Sequence, residues 1–134
     1  MKIAQQYWAA SLEFRRYITA EYLKYHGPTN AKAAETLCGL AYQLKLRDSK
    51  KAIPGSTLLL WKDGSVIVPY WACLVMLHYV VRRGFEPCEE GMLNSIACFI
   101  GKDLSPKDTS NALIGMFPKI DKETIEASVR RIEE

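Results

Sequence analysis

The residues best suited to nucleophilic or metal chemistry are few: two histidines and four cysteines. His78 follows Cys73 by five positions and precedes Cys88 by ten, the raw material of a pair in which an imidazole deprotonates a thiol. Residues five apart on a helix do not share a face. His78 therefore reads as a core histidine held by a local hydrogen bond. His26, just before Gly27-Pro28, reads as a helix C-terminal residue favoured by the dipole. Cys38, Cys73, Cys88 and Cys98 include no C-x-x-C pair, so neither zinc nor a disulfide framework is expected. They read as reduced thiols, three of them among apolar neighbours where a thiol acts as a small hydrophobe.

Carboxylate chemistry needs two acids aimed at one substrate atom. The pairs Glu89-Glu90 and Glu133-Glu134 are adjacent in sequence, and adjacent side chains on a helix do not face each other. Phosphate loops, dinucleotide fingerprints, zinc-protease helices and nucleophile elbows are all missing from the chain. The expectation is a protein that is not an enzyme and carries no cofactor and no metal.

One cluster remains. Lys45, Arg47, Lys50 and Lys51, with Lys62 further on, follow a helical segment, and together they offer a patch for phosphates. The same residues also suit a solvated helix end. The aromatic residues fall at helical and strand spacing, which assigns them to a core before a base-stacking surface.

These residues must be positioned by mainly helical elements. From Ile3 to His26 the residues Ile3, Tyr7, Ala10, Phe14 and Tyr17 recur at helical spacing, and Gly27-Pro28 terminates the run. Thr29 or Asn30 caps a second helix through about Leu46, with Ala34, Leu37, Cys38, Ala41 and Leu44 inward. Thr57–Lys62 and Ser65–Val68 flank Asp63-Gly64, a dipeptide suited to a type I′ turn, and predict a β-hairpin over 57–68. Pro69 opens an apolar helix through Arg82-Arg83-Gly84, with Leu74, Met76 and Leu77 expected inside. Three short helices follow: one from Pro87 to Gly101, one opened by Ser105-Pro106 and ending before Pro118, and one capped by Asp121. The predicted fold is a mainly α, single-domain bundle of about six helices around one central β-hairpin. Two helices lie in 1–51 and four in 69–134.

With 134 residues, 49% apolar and 25% charged, the composition is that of an ordinary globular chain. The net +3 is too mild to name a partner, but residues 1–67 hold ten basic and five acidic side chains, while 68–134 hold eight and ten. An anion binding by charge is expected on the N-terminal half. The apolar run from Tyr70 to Val81 is too short to span a bilayer, and the first residues lack the apolar stretch of a secretory signal. A cytoplasmic protein without membrane contact is expected.

Residues 58–134 carry Leu59-Leu60-Trp61, Gly64-Ser65, a helix bearing Leu74, Leu77 and His78 closed by Gly84, then Phe99, Leu104 and Arg130-Arg131-Ile132-Glu133. In this the chain resembles the C-terminal part of RteC-type regulators of Bacteroides conjugative elements. The resemblance implies a helical, DNA-associated regulator of transfer genes. The residues themselves point to a small non-catalytic regulatory or adaptor module that binds a protein partner or self-associates. The alternative is a DNA-binding regulator of a mobile element that uses the basic N-terminal half.

Overall fold

Seven helices form in the computed structural model, which describes residues 1–134: α1 (Gln5–His26), α2 (Asn30–Gln43), α3 (Gly55–Asp63), α4 (Tyr70–Arg82), α5 (Glu90–Gly101), α6 (Pro106–Met116) and α7 (Lys122–Ile132). Local punctuation sets two of the helix starts. The Thr29 hydroxyl accepts from the Lys32 amide and caps α2. Ser105 does the same for the Asp108 amide, and Pro106 occupies the first turn of α6. Asp121 stands at the start of α7, but its side chain makes no capping bond.

The predicted hairpin over 57–68 is absent, and α3 takes its place, giving seven helices and no strand. Leu58 and Trp61, three apart, are both buried, so the apolar signal in Thr57–Trp61 has helical and not alternating period. Gly64 does adopt positive φ, at 85°, but as the left-handed residue that closes a helix. Its amide donates to the Trp61 carbonyl, and the Val66 amide donates to that of Leu60. At the other end of α3, a Cβ on Gly55 would sit 2.8 Å from the Ala31 amide nitrogen, so only glycine admits this close approach to α2.

The chain divides into two compact units: Met1–Phe14 with Glu86–Glu134, and Arg15–Phe85. In the first, α5, α6 and α7 pack against one another over Ile96, Phe99, Leu113, Phe117, Ile125 and Ile132. Phe14 and Trp8 from the start of α1 add aromatic contacts to Phe99, with ring centroids 5.9 and 6.4 Å away. An isolated antiparallel bridge joins Ile3 to Glu133.

In the second unit, α2 packs on α3 and α4. Tyr22, Leu37, Cys38, Leu58, Met76 and Leu77 are fully buried there. Met76 and Leu77 lie where the sequence predicts, but Leu74 is half-buried and His78 is exposed. With Val81 and Arg82 they form a stripe at i, i+4, i+7 and i+8 along the outward side of α4. The apolar composition of this helix hides that side, because Leu74 and Val81 are counted as core residues. No helix of the chain is long and apolar enough to cross a membrane.

Candidate binding surface

The predicted basic cluster starts where α2 ends. Lys45 has φ 60°, a left-handed conformation, and the Lys45 and Leu46 amides donate back to the Tyr42 and Ala41 carbonyls. This is a Schellman closure with lysine where glycine is usual. Arg47 stacks over the Trp71 ring at 5.1 Å and donates to the Lys51 carbonyl at 2.9 Å. Trp71 in turn meets the Trp61 ring edge-on at 6.3 Å. Arg47 thus ties the connection between α2 and α3 to α4. Lys45, Lys50 and Lys51 are exposed and enter no ion pair. Lys62 is tied to α1, its carbonyl accepting from Arg16 Nε at 3.4 Å.

Charge follows the two units more closely than the two halves of the sequence. Arg15–Phe85 holds eleven basic and four acidic side chains, a net +7, because Arg82 and Arg83 fall within it. The other unit holds seven basic and eleven acidic, a net −4.

A second feature of the basic unit escapes the sequence reading. Between α3 and α4 the chain bends at Ser65 and Val66 and runs on to Pro69, and hydrogen bonds hold this segment on both sides of Ile67. The Ser65 amide donates to the Asp63 carboxylate at 2.8 Å. These Ser65 bonds, with Arg16 adding to them, hold the Asp63 pKa below the ordinary value. The Val66 amide is tied to α3, and the buried Arg15 guanidinium donates to the Val68 carbonyl at 2.7 Å. Between these anchors Ile67 stands 70% exposed and Val66 45%, next to the exposed Leu59 and Leu60 of α3. The available signal was three β-branched residues lying between a helix-closing glycine and Pro69.

On the acidic unit a cleft of about 400 Å³ opens between the start of α5 and α7. Its apolar lining includes Leu93, Ile120 and Ala127, and its polar lining includes Glu89, Glu90, Thr124 and Arg131, with Cys88 beside them. Arg131 pairs with Glu90 at 3.0 Å and donates to Asn94 Oδ1 at 3.0 Å, which also accepts from Ser128 at 2.6 Å. The cleft contains a thiol, but both histidines lie in the other unit. Its Cys88 sulfur contacts Met92 at 3.8 Å instead of a base. The remaining cysteines are free and buried, and no three His, Cys, Asp or Glu side chains converge as metal ligands. Burial pushes the Cys73 and Cys98 thiols up to about 12. No protein-family profile, curated protein or solved structure matches this chain.

Proposed function

We propose that the chain is a non-catalytic regulatory or adaptor module that works by protein–protein interaction through Val66, Ile67 and the exposed leucines of α3. One observation carries this reading: an isoleucine 70% exposed on a segment pinned on both sides by hydrogen bonds. A loop held in one conformation loses little entropy when it binds, which is where preorganised surfaces gain affinity. An apolar side chain presented in this way serves a protein surface better than it serves phosphates.

DNA binding through Lys45, Lys50, Lys51 and Lys62 is the second reading, favoured by the net +7 of the basic unit. The stacking of Arg47 on Trp71 removes the cluster's one arginine from that role. Random-peptide display on the wild-type protein, with Ile67→Asp as counter-target, separates the two. The expected outcome is enrichment of apolar peptides whose affinity falls about tenfold or more on Ile67→Asp, a change of about 1.4 kcal/mol, and is unchanged when Lys45, Lys50 and Lys51 become Ala. Peptides that bind Ile67→Asp equally well overturn the reading. Nanomolar duplex DNA binding with a steep salt slope establishes the second.

A further inference from the structure

The surface carries two apolar features of opposite shape, a pinned projection and a cleft. Val66 and Ile67 project from the segment between α3 and α4, and the cleft between α5 and α7 offers about 400 Å³ over Leu93, Ile120 and Ala127. That volume holds both aliphatic side chains. Their charges are also complementary. Lys62, on the last turn of α3, enters no ion pair, while Glu89 and Glu90 outnumber Arg131 among the charged groups of the cleft. The same complementarity holds at larger scale, the projection belonging to a unit of net +7 and the cleft to one of net −4.

We infer that the occupant of the cleft is a second copy of this chain, with Val66 and Ile67 of one molecule seated between α5 and α7 of the next. This rests on the protein-interaction reading and names its partner. Projection and cleft are different surfaces, so two molecules joined by one contact keep one projection and one cleft, which either meet reciprocally in a two-fold dimer or recruit further copies into rings or chains.

Sedimentation velocity tests this with two variants at exposed positions. Ile67→Asp removes the projection and keeps the cleft; Thr124→Trp fills the cleft from α7 and keeps the projection. The expected result is concentration-dependent association of the wild-type protein to a dimer or larger, weakened by salt. Each variant alone is expected to stay monomeric, and an equimolar mixture to form a dimer and nothing larger. Far-UV circular dichroism confirms that both variants are folded; should Thr124→Trp fail that check, Ala127→Arg replaces it. A wild-type protein that remains monomeric at its highest soluble concentration overturns the inference. So does self-association that survives both substitutions, or a mixture that does not dimerise. Peptides selected on a monomeric wild-type protein and lost on Ile67→Asp leave the interaction reading standing while the second-copy inference fails.

Discussion

The Arg15 guanidinium donates a buried hydrogen bond of 2.7 Å to the carbonyl of Val68, fifty-three positions away, and so anchors the segment that presents Ile67. A charged donor supports that carbonyl more strongly than a neutral one.

Replacing Arg15 with Ala leaves the Val68 carbonyl without its donor and removes the stacked guanidinium from beside the Tyr70 ring, 6.0 Å away. The expected loss is about 1–3 kcal/mol in a denaturant melt. Limited proteolysis is expected to cut first within residues 65–68, where the wild-type protein resists.

The outward stripe of α4 predicts unequal costs for two leucines three positions apart. Leu77 is fully buried, so Leu77→Ala is expected to destabilise by about 2–5 kcal/mol. Leu74 is half-buried, and Leu74→Ala is expected to cost less than about 2 kcal/mol. Equal losses in urea melts refute the orientation given to this helix.

Lys45 closes α2 in a left-handed conformation that glycine adopts without strain. Lys45→Gly is expected to stabilise the protein by about 0.5–1 kcal/mol, the relief at the closure outweighing the added freedom of the unfolded chain. A lower thermal midpoint for Lys45→Gly contradicts this.

Burial keeps the Cys73 and Cys98 thiols protonated up to about 12, against 9.0 in the unfolded chain. A raised folded pKa means the stabilising contribution is complete below 9.0 and is lost as pH rises towards 12. Unfolding midpoints are expected to fall through that window, and by less in a Cys73→Ala, Cys98→Ala protein measured against its own neutral-pH value. In the native state at neutral pH one thiol, Cys88, is expected to react with a colorimetric disulfide reagent. All four react in denaturant.

How far the sequence is legible depends on how local the deciding interactions are. Thr29, Ser105 with Pro106, and Gly27-Pro28 each act within one helical turn, so the starts of α2 and α6 and the end of α1 are readable from neighbouring residues, whereas α2, expected to run to about Leu46, stops at Gln43 where Lys45 takes the left-handed closure. The apolar run after Pro69 likewise marks α4 as the element that needs burial. Asp63-Gly64 is different, because positive φ at glycine serves a hairpin turn and a helix closure equally well. The burial of Leu58 and Trp61 against partners elsewhere in the chain selects the helix.

The same division runs through the candidate site. Lys45, Arg47, Lys50 and Lys51 are visible as a cluster in the sequence, but their use is not. Arg47 is drawn onto Trp71, twenty-four positions away, which leaves the lysines as its exposed cations. Charge by unit changes as well, because folding groups Arg82 and Arg83 with Arg15–Phe85. The run Val66–Val68 between Gly64 and Pro69 marks the segment but not the exposure of Ile67, since a β-branched residue in that context satisfies a strand as readily as a loop. What the sequence by itself determined was where six of the seven helices lie, through caps and apolar periodicity that act over three or four residues. What only the tertiary structure decided was which faces those helices turn outward and which polar groups remain available. Those outcomes depend on contacts such as Arg15 with Val68, whose partners lie tens of residues apart and which form only when the whole core does.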